Sequence, residues 1–266
     1  MPDWTCYDSG AFTHNSLAGP AIFAAPARDL VAALALQPGQ FVLDVGSGAG
    51  AAAAAALQAT RGEAVVVSLD PSPAMLRSAR ENGVSRVVAG ALPNLPFGAG
   101  RFDSAMASFV LSHVAALQDA LRDMLRVVRT SGQIGITSWG DKTDPYRNLW
   151  DRMAEEAAGT ARLRAALEQG VPWQDWLADP SNLQSALEQA GAARVAIYER
   201  HYPVSMKQAD FLAVRSHSIT GRFLQKTLSA EKWREFEERV AAEFRARFPD
   251  PIENVRNAWI GVGVRT

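Results

Sequence analysis

The residues best suited to chemistry form one run, Val42-Leu43-Asp44-Val45-Gly46-Ser47-Gly48-Ala49-Gly50. A short apolar strand delivers a carboxylate, and glycines at every second position then turn the chain into a helix. Glycine is needed where the backbone must bend sharply and let a ligand approach without Cβ atoms in the way. Asp70, 26 residues after Asp44, ends the next apolar run. A carboxylate placed there can accept hydrogen bonds from both ribose hydroxyls of a nucleoside lying across the strand ends. A dinucleotide site shares this strand–glycine–helix logic, but it asks for GxGxxG, and its third glycine would fall at Ala51.

The elements that must hold these residues alternate along the chain. Strands are predicted at Phe41–Val45, Ala64–Leu69, Arg86–Val88, Ser104–Val110 and Gln133–Trp139, with helices near Ala49–Ala59, after Asp70-Pro71-Ser72-Pro73 as far as Asn82, and near Leu117–Val128. Such alternation indicates βαβ units and a parallel sheet. Ala51–Ala56, six consecutive alanines, combine high helix propensity with side chains small enough for close packing on a sheet. Further on, Ser181–Ala190 reads as a helix stopped by Gly191, Arg194–Glu199 as a strand, and Arg256–Val264 as a last strand able to pair antiparallel.

Residues 1–40 read as a leader with an apolar helix near Ala25–Leu36, closed by Pro38-Gly39. Two stretches fall outside the alternation, at about 141–178 and 207–249. The second carries Trp233, Phe236, Val240, Phe244 and Phe248 at helical spacing, with Ser229 as a fitting N-cap. Both are expected to be helical cap insertions in a single domain spanning 1–266, with the ligand-binding core at about 41–140.

The glycine run and its surroundings resemble the class I S-adenosylmethionine-dependent methyltransferases, and more closely the ubiquinone-biosynthesis (methyltransferase type 11) kind that acts on small molecules. Gly90-Ala91-Leu92-Pro93-Asn94-Leu95-Pro96-Phe97 is similar to the family's segment after strand three, Arg101-Phe102-Asp103 to the entry to strand four, and Ser108-Phe109-Val110-Leu111-Ser112-His113-Val114 to its exit. The resemblance is specific over about Gln40–Trp139. It implies a Rossmann-like, seven-stranded, mostly parallel sheet with helices on both faces and a helical cap. It also implies S-adenosyl-L-methionine as cofactor: Gly46, Ser47 and Gly48 beside its methionine and ribose portions, Asp70 on the ribose, Pro71 and Met75 flanking adenine, and Ser108 near the methionine end. Ala91 stands where the family usually has an acidic residue for the adenine amino group, and Leu92 can offer its backbone N–H to the ring.

Methyl transfer from a sulfonium is an in-line displacement whose leaving group needs no proton, so much of the acceleration comes from alignment. A base is needed only when the acceptor must lose a proton, and histidine is the usual residue. His14, His113 and His217 are the candidate bases. Tyr7 and Phe12 could close over the sulfonium charge. Trp139, with Trp150, Trp173 and Trp176 close behind it, suits a flat or apolar acceptor.

Composition excludes several classes. Among 266 residues the net charge is −1, without a long basic run, so neither nucleic acid nor an anionic membrane has an electrostatic footprint. The lone Cys6 leaves no internal disulfide or CxxC metal site, which suits a reducing cytoplasm. The start MPDWTCYDSG lacks a signal peptide's pattern, and no apolar run approaches the ~18–20 residues that span a bilayer. The expectation is a cytoplasmic enzyme, monomer or homodimer, methylating O, N or C of a small aromatic or polyketide-like metabolite. Two alternatives share the fold: a non-methylating, cyclisation-type enzyme that binds the same cofactor, and a non-catalytic binding protein.

Overall fold

Phe41–Val45 (β1) runs through the middle of a seven-stranded sheet, and every one of its residues after Phe41 is buried. Burial on both faces is what a continuous apolar run signals in a parallel sheet. A computed structural model describes Asp8 and residues 13–140 and 144–266. The other strands are Val65–Asp70 (β2), Val87–Ala89 (β3), Phe102–Ser108 (β4), Val128–Trp139 (β5), Ala192–Met206 (β6) and Ile252–Arg265 (β7), in the order β3-β2-β1-β4-β5-β7-β6. β1 to β5 are parallel, and β7 pairs antiparallel with both β5 and β6. The strand order reverses between β1 and β4, which opens a crevice at the carboxyl ends of the strands, the usual ligand position in such sheets.

Helices cover both faces, as the resemblance implies. Ala24–Leu34 (α1), Ala51–Ala59 (α2) and Pro73–Glu81 (α3) pack one face through Leu30, Leu34, Ala53, Ala56 and Ala79. Leu117–Val127 (α4) and Pro180–Gln189 (α7) pack the other through Leu121, Met124, Leu183 and Leu187. The alanines do what their size suggests: Ala53 and Ala56 are completely buried.

The cap has a core of its own. Pro145–Ala158 (α5), Thr160–Gly170 (α6), Gln208–Ser216 (α8), Ile219–Thr227 (α9) and Ala230–Arg247 (α10) share a cluster built on Trp150, Leu163, Leu224, Phe236, Val240 and Phe244. Ser229 caps α10 by accepting from Lys232 N at 3.3 Å, and the aromatic stripe of α10 faces this cluster. Truncating a fully buried phenylalanine such as Phe244 to alanine would cost roughly 3–5 kcal/mol.

Three expectations are corrected. The fourth strand ends at Ser108, not Val110, because Phe109 adopts a left-handed φ of +57° that no strand accommodates. β6 runs to Met206 instead of Glu199, and β6 residues 201–206 with β7 residues 252–257 overhang β5 as a two-stranded ribbon. The polar sequence His201-Tyr202-Pro203 hides this strand, yet β6 is a sheet edge, where proline is tolerated. Finally, Asn15–Leu34 is helical without a break and is long and apolar enough to cross a bilayer by length and composition. Its His14–Phe23 part is wound more widely, with Ala24 N donating to Gly19 O, and its α1 part buries Ala27, Leu30, Val31 and Leu34 against the sheet.

Candidate functional site

At the switch point a cavity of about 610 Å³ opens, within the ~300–1,000 Å³ of small-molecule sites. One end is built by the β1–α2 turn and the end of β2. Gly46 has φ +62°, and a Cβ there would fall 2.5 Å from the Val110 side chain, so only glycine fits. Ser47 N donates to Leu69 O at 3.0 Å and Gly48 N to Asp70 Oδ2 at 2.9 Å, which ties the turn to β2. Asp70 Oδ1 accepts from Ser72 N at 2.8 Å, and Ser72 caps α3 by accepting from Met75 N. Each Asp70 oxygen keeps a second lone pair for a hydroxyl donor.

Asp44 Oδ2 accepts from Ala53 N at 3.1 Å, whereas its Oδ1, and Ser47 Oγ, are buried without a hydrogen-bond partner among the described residues. Burial pushes the Asp44 carboxyl up to about 8, with the Asp70 charge adding to the effect; burial also raises Asp70. Two carboxyls deprived of water call for a cation and for hydroxyl donors. Asp8 approaches the same end, accepting from Ser72 Oγ and Ala74 N. Asn82 Nδ2 links Asn15 Oδ1 at 2.6 Å to Ala49 O at 2.9 Å, holding the wide helical turn against the glycine loop.

The other end is aromatic and cationic. Phe109, pinned by Thr137 O and Oγ1 at 3.1 and 3.0 Å, stacks on Trp139 with centroids 3.8 Å apart. The Arg256 guanidinium also lies 3.8 Å from the Trp139 ring. Two groups cannot share one face at that distance, so Trp139 is sandwiched between them. Arg147 and Arg215 line the cavity from α5 and α8 and share Asp151, at 3.1 and 2.7 Å.

Of the residues singled out from the sequence, the fold brings Gly46, Ser47, Gly48, Asp70, Pro71, Met75, Ser108, His113, Trp139 and His217 to this one cavity. Ala91 and Leu92 are not among its lining residues, although the chain after β3 runs beside Asp70, with Gly90 N donating to Asp70 O at 3.2 Å. Of the four tryptophans only Trp139 lines the cavity. Trp150 is buried in the cap against Phe236, Trp173 Nε1 donates to Val114 O, and Trp176 is exposed. Tyr7, Phe12 and the His14 side chain lie outside the described residues.

The two described candidate bases, His113 and His217, differ. Burial pulls His113 down to about 4, and its ring donates to the Gly170 carbonyl. So weak a base is poorly matched to proton removal near neutrality. His217 Nδ1 donates to Ala213 O at 2.9 Å, because a carbonyl can only accept, which leaves Nε2 as the acceptor of the neutral ring. Phe109, Arg147, Arg215 and Arg256 were missed by the sequence reading. A left-handed φ leaves no mark on a phenylalanine, and an arginine in an alternating strand reads as a solvated face.

Comparison with known proteins agrees with this geometry. Residues 43–136 match the methyltransferase domain family. The demethylmenaquinone methyltransferase of Mycobacterium tuberculosis is 37% identical over 112 residues, 42% of this chain and 46% of that protein. The chain thus spans about half the length of the curated relative it matches. Among solved structures, the YcgJ protein of Bacillus subtilis superposes with a TM-score of 0.57 at 18% identity, over 91% of this chain and 98% of that one. The phosphoethanolamine N-methyltransferase 2 of Haemonchus contortus, solved with phosphomonomethylethanolamine and S-adenosylhomocysteine, gives 0.57 at 16% identity, over 97% of this chain and 57% of that one. These likenesses are of fold.

Proposed function

We propose that this chain, whose core is a class I methyltransferase domain, uses S-adenosyl-L-methionine to methylate an O, N or C atom of a small molecule with a flat ring system. The reading is carried by one cavity that joins the unpartnered Asp44 Oδ1 and Ser47 Oγ to the Phe109–Trp139 floor and His217. The residues present fit the cofactor. Asp44 Oδ1 would take an ammonium group and Asp70 the ribose hydroxyls, Gly46 would allow close backbone approach, and Pro71 and Met75 would flank an adenine ring. The bound cofactor supplies an electrophilic methyl group.

The chain's own residues do the rest. Phe109 and Trp139 orient an acceptor ring, and the cap excludes water from the methyl path. His217 Nε2 takes the proton that a phenol or similar acceptor must lose, with Nδ1–H held on Ala213 O. The acceptor of the mycobacterial relative does not carry over by similarity, since that match covers only 42% of this chain and 46% of that protein.

The test is calorimetry with S-adenosylmethionine and S-adenosylhomocysteine, followed by a screen of ring-bearing metabolites for S-adenosylhomocysteine release. One-to-one cofactor binding and acceptor-dependent release are expected. Cofactor binding without release would favour the cyclisation-type reading, and absent binding the non-catalytic one.

A further inference from the structure

We infer that the methyl acceptor carries an anionic group, a carboxylate, that docks on Arg256 and Arg215 at the cap side of the cavity. The inference rests on the methyl-transfer reading of that cavity and specifies the substrate class. Arg256 projects from the part of β7 that overhangs β5, two residues beyond the Ala258–Trp139 pair. Its guanidinium lines the cavity, lies over Trp139 and has no hydrogen bond or ion pair among the described residues. Five N–H donors are thus held over the indole with no acceptor for them among the described residues. Arg215 is half satisfied: Nη2 reaches Asp151, while its buried Nε has no partner.

The local charge balance points the same way. Among the described residues Arg147, Arg215 and Arg256 face only two carboxylates, Asp151 and Asp144, and Asp144 Oδ1 caps α5 by accepting from Tyr146 N and Arg147 N. Burial and the two neighbouring arginines pull Arg256 down to about 10, so it remains a cation at neutral pH. A half-buried cation without a partner among the described residues is unfavourable until an anion arrives, and a carboxylate matches the guanidinium fork with two parallel hydrogen bonds. The stacked Trp139 fixes the plane of that fork, next to the floor on which an acceptor ring would lie.

The cofactor's own amino-acid carboxylate is the other source of the same chemistry. Strand order argues against it. Asp44 and Ser47 mark the amino-acid end of the cofactor at β1, whereas β7 lies three strands away across β4 and β5, roughly 14 Å at the usual spacing.

The test uses the full chain saturated with S-adenosylhomocysteine and a panel of benzoate, 4-hydroxybenzoate and indole-3-carboxylate, each beside its methyl ester. Binding is followed by calorimetry and tryptophan fluorescence. At least one acid should bind roughly tenfold or more tightly than its ester. Arg256→Met should erase that preference and Arg256→Lys retain part of it, with S-adenosylhomocysteine affinity changed less than about threefold and the unfolding temperature confirming the fold. Arg215→Met should weaken the same acid. No acid preferred over its ester, or a preference that survives Arg256→Met, overturns the inference alone. Loss of S-adenosylhomocysteine affinity in Arg256→Met assigns the guanidinium to the cofactor's tail and also overturns it. Failure of the native chain to bind S-adenosylhomocysteine overturns the methyl-transfer reading and this inference with it.

Discussion

The two ends of the cavity are built on opposite principles. At the β1–β2 end the contacts are backbone amides, a glycine that nothing larger can replace, and two buried carboxyls. At the β5–β7 end they are side chains: two stacked rings, three guanidinium groups and two histidines, contributed by segments as far apart as Phe109 and Arg256. The first kind recognises a ligand whose shape and charge never change. The second can be altered one residue at a time without disturbing the sheet. On the proposed reading, methyl donor and methyl acceptor make those two demands.

Substitution should separate the ends. The largest effect is expected for His217→Gln, which keeps a polar side chain but removes the proposed base. Turnover of an acceptor that must lose a proton should fall by roughly 10²–10⁴, with S-adenosylhomocysteine affinity nearly unchanged and activity partly recovered at high pH. Unchanged turnover would transfer the role away from His217. At the other end, Asp70→Ala should weaken S-adenosylmethionine binding by about 1.5–3 kcal/mol, roughly 10- to 150-fold, while leaving acceptor affinity within a few-fold. Full affinity in the folded variant would show that Asp70 does not hold the ribose.

A subtler contrast is expected in the pH dependence of stability. Asp44 is raised to about 8 in the fold, so the unfolded chain releases its proton first and stability drains away as pH rises from about 4 to about 8. His113 is lowered to about 4, so its contribution is present above its ordinary value of 6.5 and is lost as pH falls toward 4. Relative to the native chain, Asp44→Asn should therefore gain thermal stability as pH climbs from 5 to 8. His113→Gln should gain as pH drops from 6.5 to 4.5. Parallel melting-temperature curves for either variant would remove its residue from this account.

The first end was legible in the sequence because its geometry is local. Asp44, the alternating glycines and Asp70 lie within one βαβ unit, and a backbone that must turn at Gly46 and Gly48 admits few residue types. Strand and helix periods likewise disclosed β1 to β5, the antiparallel β7, the Ser229 cap and the α10 stripe. Ala91 and Leu92 were assigned by analogy, and neither lines the cavity.

What the sequence determined by itself is therefore the sheet, its crevice and the kind of ligand the glycine turn can admit. Those features follow from backbone sterics and from a hydrophobic period that any window of residues displays. Only the tertiary structure decided which histidine keeps a usable lone pair, that Phe109 turns back to stack on Trp139, and that Arg147, Arg215 and Arg256 meet around one cavity. Phe109 is held by Thr137 of β5, and the three arginines meet where α5 and α8 of the cap come up to the β6–β7 ribbon. Burial and neighbouring charge set the chemistry of a side chain, and neither exists until residues distant in the chain have been brought together.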